Sequence, residues 1–365
     1  SEMCIRDRSN TSANINLSLD FQSGNCTTKI PKNAFNGYSG NTINVVIYGN
    51  VTDSNGITLE SGSFCNMPNM AKLPMTNSTS LKTIPENCMN NLTSLTSATT
   101  GYVVDVEGCN DMPNLTTLRI ESSCEIVNGF NNCPKLKSLS FMSDGKVKEI
   151  GGLNNNAITT FYIPNMALSV SGVNNCSALT TVVIGASLTS FTGFNNCPKL
   201  NKFTVDSSNT TFKVVDNNLY QGNKLCRVPM SKSDIVATNG TTEIMSNAIQ
   251  IAFVNSISIP NGCILANDSI KCQSVGQIIL HTSFNTETGK YNNLTMTDFS
   301  TLDNVQVGTI FTYGNGITDT TNANCLPIVK YCIEHNINYV DMNETNTNAR
   351  GAIGISGNAE LDGDN

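Results

Sequence analysis

Apolar and polar positions follow one block that returns along the chain. At 133–141, CPKLKSLSF, Leu139 and Phe141 stand either side of Ser140, with Leu136 three residues earlier. A spacing of two puts Leu139 and Phe141 on one face of a short strand, and Leu136 seats the turn leading into it. The block reads GFNNCPKLKSLSF from Gly129 and GFNNCPKLNKFTV from Gly193. Related copies are GVNNCSALTTVVI from Gly172, GCNDMPNLTTLRI from Gly108 and the shorter GGLNNNAITTFYI from Gly151; looser ones start at Ser63 and Met89. Aligned on the residue before the proline position, seven copies give the column Met67, Leu92, Met112, Cys133, Asn156, Cys176 and Cys197.

The gaps in that column run from 20 to 25 residues, within the leucine-rich-repeat range of about 20–29. One such unit has an apolar face too small to bury alone. Stacked copies join their strands into a sheet and share one core. The pattern predicts a leucine-rich-repeat solenoid of short parallel strands with turns or 3-10 segments and little helix. The Asn pairs suit the bend, since Asn tolerates left-handed backbone. In a stack they can also bond the next coil's backbone, which burial would otherwise leave unpaired. Gly129, Gly172 and Gly193 precede the bend, where positive φ or close coil contact is expected.

The rest of the chain is organised around this array. Ile15, Leu17, Leu19 and Phe21 alternate with polar residues, which predicts a capping strand within 9–29. The solenoid is expected over 30–282 and a C-terminal segment over 283–345. Within that segment Pro327 suits a first helical turn, and Ile328, Val329, Cys332 and Ile333 fall at helical spacing. Asn336 or Asn338 ends this helix before Tyr339-Val340, giving a helix-strand cap for the last coil. Residues 346–365 are Asn, Gly and acid, expected to form a flexible tail. Residues 1–8, SEMCIRDR, resemble a translated sequencing adapter of the kind found on genes assembled from environmental DNA. On that expectation the missing leader carries no information about export.

The repeats resemble the BspA-type leucine-rich repeats of bacterial and protist surface proteins. In that family a unit carries Ile-Pro, then Ala-Phe, then Cys and Leu. Here Ile30-Pro31 is followed by Ala34-Phe35, Ile84-Pro85 by Cys88, and Ile163-Pro164 and Ile259-Pro260 recur. Residues 212–229, FKVVDNNLYQGNKLCRVP, resemble the family's variant hairpin repeat. The resemblance covers about residues 28–280. Ala-Phe is mostly replaced by Gly-apolar, and Asn156 stands at a Cys position. The resemblance implies a parallel solenoid used for recognition or adhesion at a surface, without catalysis.

Composition narrows the chemistry. The 365 residues carry a formal charge of −7, and only 13% are charged. No basic field is present for a nucleic-acid backbone. No apolar run reaches the 18 or so residues of a membrane helix. Fourteen Cys invite a disulfide or metal reading. However, Cys133, Cys176 and Cys197 share one interior position, where a thiol packs as a small hydrophobe. Cys176 and Cys197 on adjacent rungs could in principle bridge. Cys325, Cys332 and His335 cluster on the cap helix but lack a fourth zinc ligand. His281 stands alone and reads as structural. GAIGISG at 351–357 has no Lys and no following helix, so it is no phosphate loop. No nucleophile elbow or carboxylate pair appears. We therefore expect no enzyme, metal or cofactor.

Residues that alternate with the buried pair must point outward. Thr117, Arg119, Thr160, Tyr162, Thr181 and Lys202 form a hydroxyl-rich, nearly neutral face. A Thr face is also simply β-compatible surface. The sharper expectation is a shallow site for a protein or glycan ligand centred on Arg119 and Tyr162. The alternative is a structural spacer or fibre segment with no ligand of its own.

Overall fold

A computed structural model describes residues 15–20, 29–39, 43–48, 57–73, 79, 81–282, 284–285, 287, 290–291, 296–313 and 318–342. The adapter-like 1–8 and the tail 346–365 lie outside the described residues. The chain divides into two compact units, Ser1–Thr211 and Phe212–Asn365.

The first unit is a parallel β-solenoid. The column read from the sequence is interior throughout: Met67, Leu92, Met112, Cys133, Cys176 and Cys197 are fully buried, and Asn156 nearly so. On one side of the coils, strands Ser97–Thr99, Thr117–Ile120 and Ser138–Phe141 form a three-stranded sheet. Strands Thr160–Tyr162, Thr181–Ile184 and Lys202–Val205 form a second one. Register advances one repeat per strand, as in Leu118↔Leu139 and Phe161↔Val182↔Phe203. The other side holds a sheet that the pattern did not predict. Six two-residue strands, from Thr83–Ile84 to Ser190–Phe191, pair in parallel. They bury Ile84, Val106, Val127, Ile150, Val170 and Phe191. Two residues are too few to register as an alternating pattern. Among the described residues the only 3-10 turn is Ser300–Leu302, so tight turns rather than helical pieces close these coils.

Two Asn ladders hold the bend. The second residue of each pair takes the left-handed conformation: Asn91, Asp111, Asn132, Asn155, Asn175 and Asn196 have φ of 54–59°. The first residue's Oδ1 accepts the backbone N–H one coil on. Asn131 N–H donates to Asn110 Oδ1 at 2.9 Å, Asn174 to Asn154 at 2.8 Å and Asn195 to Asn174 at 2.9 Å. Outside, Asn132 Nδ2 donates to Asp111 Oδ1 at 2.8 Å and Asn196 Nδ2 to Asn175 Oδ1 at 3.0 Å. Asn131 is bonded both ways, donating to Asn110 Oδ1 at 2.9 Å and accepting from Asn154 Nδ2 at 2.7 Å. Asn131→Leu fills the same volume and keeps the backbone N–H that Asn110 Oδ1 accepts, but it leaves the partly buried N–H and Nδ2 of Asn154 without their acceptor. It should cost about 2 kcal/mol in denaturant unfolding. A loss under about 0.5 kcal/mol, the size of an ordinary surface change, would remove the ladder from the stabilising terms.

Asn156 explains the short copy. In full-length copies the turn is closed by backbone, as in Leu136 N–H to Cys133 O at 2.9 Å and Leu200 N–H to Cys197 O at 3.0 Å. The 151–163 copy lacks one residue there. Asn156 Oδ1 instead accepts Ile158 N–H at 3.0 Å, a side-chain mimic of the turn. This shortening has a cost at the front. Ser138–Phe141 and Thr160–Tyr162 do not pair, although the two-residue strands behind them remain continuous. Leu139 and Phe141 consequently face inward but are only half-buried.

The second unit opens with the hairpin repeat. Phe212–Val215, Asn218–Gln221 and Lys224–Arg227 pair antiparallel. Asp216 and Asn217 have φ of 47° and 59°, the positive pair that a two-residue hairpin turn requires. Parallel order then resumes through Asp234–Val236, Phe253–Ile259, Ser274–Leu280, Gln306–Thr312 and Asn338–Asp341. Asn255, Gly276 and Gly308 stack as an unpaired position inside three of these strands. A Cβ at Gly308 would lie 2.5 Å from Gly276 O, so this position admits no side chain at Gly308. The helix Pro327–Glu334 buries Ile328, Val329 and Cys332 and leads into Asn338–Asp341, the last of the described strands. The helix and the strand after it are therefore present as the spacing predicts.

Candidate binding surface

The outward residues of the first unit lie where alternation places them, on two separate sheets. Thr160, Thr181 and Lys202 are in direct register and form one row across three strands. Tyr162 stands beside that row, in register with Val183 and Thr204, and is 60% exposed. Thr117 and Arg119 belong to the other sheet, where Arg119 is in register with Thr99 and Ser140. Arg119 is not a free cation. Its Nε lies 2.9 Å from Glu121 Oε1, and its guanidinium donates to Met142 Sδ at 3.1 Å. The pair is half exposed, so its contribution to stability is small, but it fixes where the guanidinium points. Ser138–Phe141 and Thr160–Tyr162, which lie between these two groups, do not pair.

Sequence reasoning missed a recess at the edge of this face. A cavity of ≈540 Å³ is lined by Thr99, Tyr102, Glu121, Ser122, Asp144 and Lys146 among others. In the second unit a cavity of ≈710 Å³ is lined by polar groups including Gln250, Asp268, Lys271, Gln273, Ser300 and Asn304. The signal for the first was present as unequal spacing between copies, but which residues would meet was not.

The other candidate chemistry resolves into packing. Cys133, Cys176 and Cys197 are buried free thiols. Burial pushes the Cys133 thiol up to about 12. The hydrogen bond with Cys197 raises Cys176, and burial adds to it. Cys133 and Cys176 are thereby held as protonated thiols, poor nucleophiles and poor ligands. Cys325 and Cys332 are buried, while His335 is exposed, with its ring stacked on Tyr331 at 4.0 Å. Among the described residues, no group of three or more His, Cys, Asp or Glu is placed to hold a metal. His281 Nε2 lies 2.7 Å from Ser258 Oγ, an ordinary structural bond. None of the described helices is long and apolar enough to cross a membrane.

No family model matches the chain, and no curated protein matches it in sequence. Its fold is similar to solved structures of leucine-rich-repeat proteins from bacteria. One is a leucine-rich cell surface protein of Faecalibacterium prausnitzii, with 14% identity, a TM-score of 0.42, and coverage of 95% of this chain and 93% of that one. Another is a leucine-rich repeat protein of Eubacterium ventriosum, with 13% identity, a TM-score of 0.42, and coverage of 64% and 81%. A third is the pneumococcal vaccine antigen PcpA, with 12% identity, a TM-score of 0.39, and coverage of 91% and 92%.

Proposed function

We propose that the chain is a non-enzymatic recognition protein that acts outside the cell, at a surface, and binds a protein or glycan through the front strands. The observation that carries this reading is Tyr162. It is largely exposed on a parallel three-stranded sheet, beside the in-register row Thr160, Thr181 and Lys202. A tyrosine held this way offers a large contact area at little entropic cost. Its neighbours supply hydroxyls and one ammonium without a strong net field. The backbone beneath is pinned by parallel pairing, so binding orders little that is not already ordered.

The test is capture on arrays of immobilised extracellular proteins and glycans. The double variant Tyr162→Ala, Lys202→Ala should lose about tenfold or more in affinity for whatever the wild-type chain retains. Its unfolding midpoint should be unchanged, because neither side chain is in the core. Equal capture by both chains would show that this face is only solvated surface. A wild-type chain that retains nothing would favour the spacer reading.

A further inference from the structure

We propose that the recess beside Tyr102 binds a neutral saccharide unit. The inference rests on reading the chain as a recognition protein, but it concerns a different place from the Tyr162 row.

The recess is built by turn length. In successive coils the turn from the last inward front residue to the back strand spans 101–104, 121–125 and 142–148, then 164–168 and 185–189. The third turn is two residues longer than the regular five, and the first is one shorter. Residues from all three unequal turns line the cavity. Regular coils would stack flush, so the irregularity itself makes a place for a ligand.

The groups that line it are fixed in advance. Glu121 Oε1 accepts from Thr99 Oγ1 at 2.9 Å and faces Arg119 Nε at 2.9 Å. Glu121 N–H donates to Thr100 Oγ1 at 2.9 Å, so backbone and side chain are both held. Asp144 Oδ1 accepts from Ser122 Oγ at 2.7 Å. These bonds use one oxygen of each carboxylate and leave the other for a donor. Tyr102 lines the recess and is 52% exposed.

The charge arithmetic selects the ligand. The lining carries Glu121, Asp144 and Lys146, and Arg119, outside it, pairs with Glu121, so the recess presents no strong net charge to either an isolated cation or an anion. Oriented carboxylate acceptors, an ammonium donor and hydroxyls suit a ligand dense in hydroxyl groups. An aromatic face suits its C–H side. A pyranose has both properties and is small enough for ≈540 Å³. Preorganisation of the acceptors lowers the entropic cost of holding it.

The experiment applies the full chain to an array of neutral hexose, neutral N-acetylhexosamine and sialylated oligosaccharides. Neutral glycans should be retained. Tyr102→Ala and Asp144→Asn should each weaken retention about tenfold or more. Tyr102→Phe, which keeps the ring, should bind nearly as the wild type does. Unfolding midpoints are measured alongside, and the conservative Asp144→Asn covers the case in which Tyr102→Ala fails to fold. Retention of sialylated glycans alone, or neutral retention indifferent to both variants, would overturn the assignment. Retention lost only with the Tyr162→Ala, Lys202→Ala pair would place the ligand on the sheet, overturning the recess and sparing the sheet-face reading. Protein capture through that face with no glycan retained would do the same.

Discussion

Leu136→Asp should unfold several coils of the first unit together. Leu136 is fully buried between the bend and the front strand, and no cation lines that interior column. Losing the leucine forfeits about 2–3 kcal/mol of burial. The unpaired carboxylate adds several kcal/mol more or must protonate. The sum rivals the whole stability of a typical domain, about 5–15 kcal/mol. Each coil is stabilised by its neighbours, so the loss spreads through the interfaces on both sides. Hydrogen exchange should show protection falling over several copies at once, with a much reduced unfolding midpoint. Leu139→Asp is the informative companion. The same repeat pattern marks both leucines as core, but Leu139 is half-buried at an unpaired strand edge. It can turn a carboxylate to water, and should cost about 1–2 kcal/mol, near the centre of ordinary substitutions. Equal effects from the two variants would mean that the front sheet is not interrupted there.

Gly152→Ala should be nearly as damaging, for a different reason. Its φ is +58°, which costs a residue with a Cβ about 1–2 kcal/mol. The added Cβ would also lie 2.3 Å from Asn128 O and 2.4 Å from Asn128 C. Both atoms are backbone of the preceding coil, so no rotamer change relieves the overlap. The coils must part, straining the Gly151 N–H bond to Val127 O at 2.6 Å and the Asn131–Asn154 rung beside it. We expect a loss of about 3 kcal/mol or more in denaturant unfolding, from strain plus disturbed bonds. Gly37→Ala separates the two contributions. Gly37 has φ +75° but open space where its Cβ would stand, so only the conformational cost of about 1–2 kcal/mol applies. Similar losses at both glycines would mean that coil contact contributes nothing at Gly152.

The candidate site was legible in part. Outward positions followed from alternation, since Thr160, Thr181 and Lys202 each flank a residue that packs inward. Their alignment as one row followed from the repeat, because equal spacing forces equal register. Arg119 and Tyr162 stand on different three-stranded sheets, with the unpaired edges of Ser138–Phe141 and Thr160–Tyr162 between them, a separation that the repeat pattern does not announce. Asn156 itself read as a departure from the Cys column. Its use as a turn closure depends on the distance to Ile158 N, which no residue type announces.

What the sequence settled alone was everything that depends on a residue and its near neighbours. Period, inward and outward faces, the left-handed Asn corners, the apolar thiol column and the Pro327 helix are all written within about twenty residues, because dihedral preference and burial pattern act at that range. What only the tertiary structure decided was which coil edges meet. The two-residue strands on the far side, the break at Leu139, the bond from Thr99 to Glu121 and the recess walled by Tyr102, Ser122 and Asp144 all depend on residues about one repeat apart. Small differences in turn length, invisible as pattern, determine which of those residues come within bonding distance.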